Sequence, residues 1–354
     1  MENLSLILNL LENNQHSFKG AYFIPDIWNA FEYRNYFKDP TREGQIGVNP
    51  YSFMSACIKE YILKMAERPG DSELPSPETT ENEVLDLGKD VIYSMFPRMF
   101  TAWDHYQEGM LASGTFLKAI CLLPYLKKLK INIIYLLPIF KYSDKYRKGE
   151  LGSPYAIKDI YRIDPGLHDE LLGGDPETMV ETEFKAFIEA CHILKIKVMV
   201  DFAFRTVSRD NDLIANHPEW FYWIKLQNSH NFFPPTVETE KELTVLDDQS
   251  LTNLYTCKGI KDYLTWFTCS PPELDPLKWR KILMEYGATK TNILDLIEEV
   301  YQITTAPGFS NVLNDPQPLW TDVTYLKFYF DGNPKSKSYL PDEQQPYILQ
   351  DIAC

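Results

Sequence analysis

The sequence predicts an α/β protein in which parallel β-strands are covered by helices. Three short apolar runs are predicted strands, DVIYSMF at 90–96, INIIYLLPIF at 131–140 and IKVMVDFAF at 196–204. Helical patterns separate them, and strands apolar on both faces that alternate with helices are typical of parallel sheets. An internal repeat supports this, because KKLKINIIYLLPIF and HILKIKVMVDFAF both run from a helix end through Leu-Lys-Ile into a strand. Two units built alike favour a barrel or a doubly wound sheet.

Composition and pattern divide the chain into four predicted parts. A stretch rich in Pro, Ser, Thr and Glu cannot form a core and indicates a linker between a helical region and the strands. The parts are a helical N-terminal region at 1–67, a linker at 68–88, three βα units at 89–206, and a long insertion at 207–354.

The helices have recognisable starts and faces. The N-terminal MENLSLILNLLENNQ is predicted to be an amphipathic helix rather than a signal peptide, since it lacks a basic lead and a small-residue cleavage site. Asn49 can cap a helix that has Pro50 at its first position. Residues 113–129 are predicted to be helical with a kink at Pro124. In TEFKAFIEACHIL the apolar residues fall at helical spacing, namely Phe184, Phe187, Ile188 and Cys191.

Charge and cysteine usage exclude several classes of protein. The net charge of −15 and pI near 4.9 argue against nucleic acid and anionic membranes as partners, because both repel an acidic surface. No apolar run approaches the roughly 18 residues of a membrane-spanning helix. The cysteines lack metal-binding spacing and are predicted to be buried free thiols in a reducing cytoplasm. They are Cys57, Cys121, Cys191, Cys257, Cys269 and Cys354. We expect neither a metal nor a cofactor.

Polar residues follow each predicted strand and mark a candidate site. No G-x-G-x-x-G or G-x-x-x-x-G-K-[ST] motif follows any strand, so nucleotide-binding sheets lack their phosphate-binding signature. The strand ends carry Pro97 and Arg98, then Tyr155 and Asp159, then Asp201, Arg205 and Thr206. Barrel enzymes place their chemistry at the carboxyl ends of their strands. The alternative, which the pattern leaves open, is a set of structural caps and salt bridges.

Four segments taken in order resemble the first three βα units of the α-amylase family, glycoside hydrolase family 13. They are VIYSMFPRMF, GTFLKAICLLPYLKKLKINIIYLLPIF, SPYAIKDIYRIDP and FKAFIEACHILKIKVMVDFAF. Within that family the chain is most similar to bacterial maltosyltransferases of the 4-α-glucanotransferase type, which move maltosyl units between α-1,4-glucans. RDNDLIANHPEWFYWIK, TTAPGFSNVLNDPQPLW and TDVTYLKFYF also resemble that branch. The resemblance implies an incomplete N-terminal portion of a TIM (β/α)8 barrel with a long insertion after the third strand.

The resemblance also assigns expected roles to four residues. Family members end the third strand in Asp-x-x-x-Asn-His, and Asp201 matches the Asp while Arg205 and Thr206 replace Asn and His. The family's Asn is a calcium ligand, which Arg cannot be. Tyr155 matches an aromatic residue that stacks on the same sugar. The expected substrate-binding residues are therefore Tyr155, Asp201, Arg205 and Thr206, with Asp201 near Arg205 at one end of the sheet. The alternatives are a core-edge tyrosine and a rim ion pair.

The family's catalytic carboxylates have no counterpart in the sequence. Retaining glycosidases need a nucleophile and an acid/base, and in this family the nucleophile lies in a Gly-x-Arg-x-Asp motif on the fourth strand. No such motif occurs in the 354 residues. The chain is therefore predicted to be an N-terminal fragment that is inactive alone, either the product of a truncated reading frame or one half of a split enzyme that a second chain completes. The alternative function is a non-catalytic α-glucan-binding or vestigial protein.

Overall fold

The computed structural model describes residues 1–15, 18–67, 88–234, 258–289, 291–310 and 316–327. The chain forms two compact units: Met1–Lys141 with Tyr161–Phe202, and Tyr142–Ile160 with Ala203–Cys354. This grouping differs from the predicted division, because residues 1–67 share a hydrophobic core with the strands and residues 142–160 group with the insertion. Residues 68–87 of the predicted linker lie outside the described residues.

The elements of the first unit follow the predicted alternation of strands and helices. Its helices are α1 (Glu2–Asn14), α2 (Pro50–Ala66), α3 (Pro97–Phe100), α4 (Phe116–Lys128) and α5 (Pro176–Ile193). Its strands are β1 (Tyr22–Pro25), β2 (Gln45–Val48), β3 (Ile92–Met95), β4 (Ile133–Leu136) and β7 (Lys197–Val200). Strands β5 (Phe140–Tyr142) and β6 (Ile157–Ile163) pair where the chain passes to the second unit and back.

The predicted parallel sheet is confirmed. Strand β4 lies between β3 and β7, and both pairings are parallel. Each strand covers four residues and is shorter than the apolar run that predicted it, although the Asp201 N–H still donates to the Leu136 carbonyl at 2.8 Å and extends the ladder. The Asn49 cap is confirmed, since the Asn49 side chain accepts a hydrogen bond from the Ser52 N–H in α2. The helical spacing of apolar residues in α5 is confirmed as well, because Phe184, Phe187, Ile188 and Cys191 lie in or against the core of the first unit.

The two faces of this sheet have different surroundings. One face carries Met95, Ile134 and Leu136, which join helices α1, α2, α4 and α5 in one large core. The other face carries the row Ser94, Tyr135 and Met199, and Met199 is 38% exposed. The sequence predicted that both faces would be buried. In a barrel the inner face is covered by side chains from all the strands, so these three strands leave that face partly exposed.

Glu189 joins the N-terminal helix to the rest of the first unit. This buried carboxylate on α5 accepts hydrogen bonds from the Leu4 N–H at 2.9 Å and the Asn3 amide at 2.8 Å. It thus satisfies donors at the start of α1 that have no partner within the helix. Burial alone would raise the pKa of Glu189, but these hydrogen bonds outweigh burial and lower it.

We expect Glu189→Gln to lower the free energy of unfolding by about 1–2 kcal/mol near pH 7, because charge-assisted hydrogen bonds are lost. A carboxylate with a lowered folded-state pKa stabilises above its unfolded-state pKa and stops doing so as pH falls through its folded value. The difference from wild type should therefore shrink as pH falls below about 4.5. Urea unfolding at a series of pH values measures this, and a difference independent of pH would contradict it.

The second unit is built from short antiparallel strands and helices. Its helices are α6 (Lys258–Leu264), α7 (Pro271–Leu274), α8 (Pro276–Thr289) and α9 (Ile293–Tyr301). Its strands are β8 (Thr206–Ser208), β9 (Trp223–Lys225), β10 (Phe267–Thr268), β11 (Ile303–Thr305) and β12 (Val323–Tyr325). They pair as β8 with β12 and as β10–β9–β11.

The cysteine and membrane predictions have mixed outcomes. Cys57, Cys121 and Cys191 are free and buried, as expected, whereas Cys269 is free but exposed. Cys257 and Cys354 lie outside the described residues. Within the described ranges, no helix has the length and apolar character needed to cross a membrane.

Candidate functional site

Asp201 lies at the carboxyl end of β7, on the less covered face of the parallel sheet. Met199 and Tyr135 are paired neighbours on that face, and Asp201 follows Met199 at the strand period of two. The nearby Asp201 carboxylate raises the pKa of the Tyr135 phenol, so the two side chains lie close together. The site therefore contains a phenol–carboxylate pair that can both donate to and accept from a ligand hydroxyl.

Aromatic rings and an ion pair complete this end of the first unit. The Phe140 and Phe202 rings follow β4 and β7, lie 4.9 Å apart and leave Phe202 54% exposed. Arg98, which follows β3, is buried, with its Nε 3.5 Å from Asp164 Oδ2. This ion pair favours the structural interpretation of Arg98, because its charge neutralises an internal carboxylate.

Arg205 and Thr206 are at the start of β8 in the second unit. The Arg205 guanidinium lies 4.8 Å from the centre of the Tyr325 ring, and the Arg205 carbonyl accepts from the Leu326 N–H at 2.8 Å. Thr206 is paired with Tyr325 in the antiparallel register. Both side chains are half-buried, and strand β12 fixes their positions.

Tyr155 belongs to the second unit as well, in the loop between β5 and β6. The residue is 36% exposed, and its backbone N–H donates to Ser153 Oγ at 3.2 Å. The structure therefore places Tyr155, Arg205 and Thr206 in one unit and Asp201 in the other. Convergence of the four residues, and proximity of Asp201 to Arg205, remain predictions.

A buried ion pair near β8 was not foreseen. Lys158 Nζ donates to the Asp210 carbonyl at 2.9 Å and lies 3.4 Å from Asp210 Oδ2 and 3.1 Å from Asp212 Oδ1. Asn292 Nδ2 donates to Asp210 Oδ2 at 2.5 Å. Burial alone would raise the pKa of Asp210, but the Lys158 ammonium and these hydrogen bonds lower it. The Lys158 ammonium therefore compensates the negative charge of the Asp210 and Asp212 carboxylates.

The aromatic residues of the insertion form cores rather than a groove. Trp223 and Trp279 are buried, while Trp220, Trp266 and Trp320 pack against buried clusters. A cavity lined by Tyr222, Tyr263, Phe267, Phe309 and Tyr325 has room for about one water molecule, which is too small for a sugar ring. Among the described side chains, no cluster of three or more His, Cys, Asp or Glu is suited to a metal.

Sequence reasoning missed Tyr135, which has the only polar side chain in the stretch Ile133–Leu137 within the second predicted strand. Its position in the row of Met199, just below Asp201, becomes visible once the parallel register is known. The Leu-Lys-Ile repeat predicts parallel pairing but would place Ile134, not Tyr135, beside Met199, so the register came only from the structure.

Comparison with known proteins gives one family. Residues 94–256 match the family model for the catalytic domain of α-amylases. The chain is similar to α-1,4-glucan:maltose-1-phosphate maltosyltransferases from three bacteria. The enzyme of Mycolicibacterium smegmatis is 32% identical over 36% of this chain and 18% of its own length. That of Bifidobacterium animalis is 28% identical over 58% of this chain and 29% of its own length, and that of Chlorobaculum tepidum is 33% identical over 48% of this chain and 25% of its own length. Each alignment thus spans less than a third of the relative's length.

Two solved structures also overlap with the chain. An α-amylase from Lactobacillus plantarum has 31% identity and a TM-score of 0.31 over 50% of this chain and 36% of its own. A noncanonic maltogenic α-amylase from Thermotoga neapolitana has 26% identity and a TM-score of 0.30 over 66% of this chain and 41% of its own.

Proposed function

We propose that this chain is the N-terminal part of an enzyme that transfers maltosyl units to or between α-1,4-glucans, because residues 94–256 match the family model for the catalytic domain of α-amylases. The observation that supports this most directly is the position of Asp201, at the carboxyl end of the third of three parallel strands. The names of the similar maltosyltransferases add maltose 1-phosphate as a donor class.

Substrate binding is assigned to Tyr155, Asp201, Arg205 and Thr206. Tyr155 offers a partly exposed ring to stack on a sugar face, as aromatic side chains do at carbohydrate sites. Asp201, with its Tyr135 partner, accepts hydrogen bonds from sugar hydroxyls. Arg205 is held by Tyr325 and supplies a fixed guanidinium, which suits a phosphate or a ring oxygen.

The 354 residues by themselves are proposed to be inactive. Cleavage with retention needs two carboxyl groups about 5–5.5 Å apart, one to protonate the leaving oxygen and one to attack the anomeric carbon. Asp201 is the carboxylate at the sheet rim, and its partner in the first unit is the Tyr135 phenol. The proposed enzyme would need further strands that carry the nucleophile and the acid/base and that cover the face of Tyr135 and Met199. The free thiols fit a cytoplasmic setting.

Activity and binding assays test this proposal together. Purified chain incubated with maltotetraose, alone or with maltose 1-phosphate, should give no longer or shorter products by chromatography. Maltoheptaose should still bind weakly, and Tyr155→Ala should weaken binding about tenfold, since loss of one stacking ring costs roughly 1.5 kcal/mol. Disproportionation that is lost in Asp201→Asn would overturn the proposed inactivity.

The second candidate is a non-catalytic α-glucan-binding or vestigial protein. Absence of the Gly-x-Arg-x-Asp motif from these residues favours it. One experiment distinguishes a partial enzyme from a non-catalytic protein. Co-expression with a polypeptide carrying the later strands of a matched maltosyltransferase should restore transfer only if the chain is part of an enzyme.

A further inference from the structure

The residues around Tyr155 form a loop, residues 143–156, that two lysines hold against other parts of the second unit. We propose that Lys145 and Lys148 are positioning residues that fix the Tyr155 ring for α-glucan binding. This inference rests on the proposed function, because it assigns to the loop the role of presenting Tyr155 to substrate. It names residues that neither the sequence patterns nor the family resemblance indicated.

The first attachment is made by Lys145 and its neighbour. Lys145 Nζ donates to Asp295 and lies 3.2 Å from Glu298 Oε2, and both carboxylates project from α9. The Tyr146 hydroxyl donates to Glu298 Oε1 at 3.3 Å. Two consecutive loop residues therefore bind the same helix, which limits both translation and rotation of the loop.

The second attachment is made by Lys148. Its Nζ lies 3.1 Å from Asp322 Oδ1, just before β12, and the Asp322 side chain is only 6% exposed. The backbone carbonyl of Asp322 accepts from the Arg209 N–H, so this carboxylate is itself anchored to the segment after β8. Lys148 thus joins the loop to the pair of strands that carries Thr206.

Backbone hydrogen bonds connect these attachments to Tyr155. The Gly152 N–H donates to the Lys148 carbonyl at 3.1 Å, in a turn where Gly149 and Gly152 have φ of +61° and +66°. Both values lie in the left-handed region that glycine adopts without strain. The Ala156 N–H then donates to the Ser153 carbonyl at 3.2 Å. These backbone hydrogen bonds recur every few residues between Lys148 and Tyr155, so the position of Lys148 restrains that of Tyr155.

The physical consequence is a smaller entropic cost of binding. A stacking ring on an unattached loop must be ordered when the sugar binds, and that ordering reduces affinity. The surrounding structure of the second unit orders the loop before the sugar arrives. Exposed ion pairs contribute modestly, so removal of both lysine charges should weaken binding by about 5–10-fold.

The experiment compares Lys145→Met/Lys148→Met with wild type, Tyr155→Ala, Lys148→Arg and the exposed control Lys281→Met. We expect maltoheptaose affinity to fall about 5–10-fold in the double variant, to be unchanged in Lys281→Met and to be largely retained in Lys148→Arg. Hydrogen exchange at residues 149–156 should accelerate in the double variant while exchange in β9 and β11 stays unchanged.

The outcomes separate this inference from the proposed function. Tight binding and unchanged exchange in the double variant would overturn the positioning role, even if Tyr155→Ala weakens binding. If wild type and Tyr155→Ala bind maltoheptaose equally or not at all, the proposed function fails instead. Accelerated exchange across the whole second unit would also overturn the inference, because the lysines would then stabilise the unit rather than the loop.

Discussion

Lys158→Met is expected to lower the free energy of unfolding of the second unit by about 3–5 kcal/mol. Removal of one partner of a buried ion pair leaves the other charge uncompensated, which costs more than the pair itself contributes. The Asp210 side chain is 1% exposed, and Lys158 and Asn292 stabilise its ionised carboxylate. Urea unfolding followed by tryptophan fluorescence measures the loss, because five of the seven tryptophans lie in this unit.

Two further variants show whether the uncompensated charge is the cause. Lys281→Met makes the same substitution at an exposed position of α8 and should change stability by less than about 0.5 kcal/mol. Lys158→Met/Asp210→Asn should be more stable than Lys158→Met alone, since the double variant buries no lone carboxylate. Equal losses in the single and double variants would show that packing of the lysine stem, rather than charge, is responsible.

The sequence predicted the sheet of the first unit because its signals are local and repeated. Apolar runs identify β3, β4 and β7, and the Leu-Lys-Ile repeat indicates that two of them begin alike, so parallel pairing follows, although the register differs by one residue from the alignment of the repeat. The position of Asp201 followed from the same reasoning. The sequence did not predict that the two faces of the sheet differ in burial, because apolar residues on both faces of a strand do not show which elements pack against each face.

Contacts between distant residues were beyond the reach of these patterns. Lys158 and Asp210 are 52 positions apart, and Lys145 and Asp295 are 150 apart. Each of these residues, read alone, is an ordinary surface charge, and only the fold brings them together. The same limit explains why residues 142–160 were assigned to the barrel, although their lysines bind partners in the insertion.

These long-range contacts also connect the proposed site to stability. Lys158 fixes β6 to the segment after β8, while Lys145 and Lys148 fix the preceding loop to α9 and to the start of β12. Three lysines within fourteen residues therefore attach the Tyr155 region to the second unit. Lys158 is the least exposed of the three and pairs with the buried Asp210, so it should control folding, whereas the two more exposed lysines should control affinity.

Gly114→Ala is expected to destabilise the first unit by about 2–3 kcal/mol. A Cβ at this position would lie 2.3 Å from the Pro97 carbonyl oxygen and 2.9 Å from Thr101 Oγ1. The Gly114 N–H donates to the Arg98 carbonyl at 2.7 Å, so a shift that relieved the clash would stretch this hydrogen bond. Overpacking of a rigid backbone contact typically costs about 1–3 kcal/mol, and backbone atoms yield less readily than side chains.

Gly287→Ala is the matched control, because it adds the same methyl group where there is space. Gly287 lies within α8, and a Cβ there has no neighbour within 4 Å. Alanine should stabilise that helix by about 0.5–1 kcal/mol through its lower backbone entropy. Thermal unfolding followed by far-ultraviolet circular dichroism should therefore show opposite shifts for the two substitutions. Wild-type stability in Gly114→Ala would mean that α3 moves away from Gly114 at little cost, so that the start of the first βα loop is not fixed by close backbone packing.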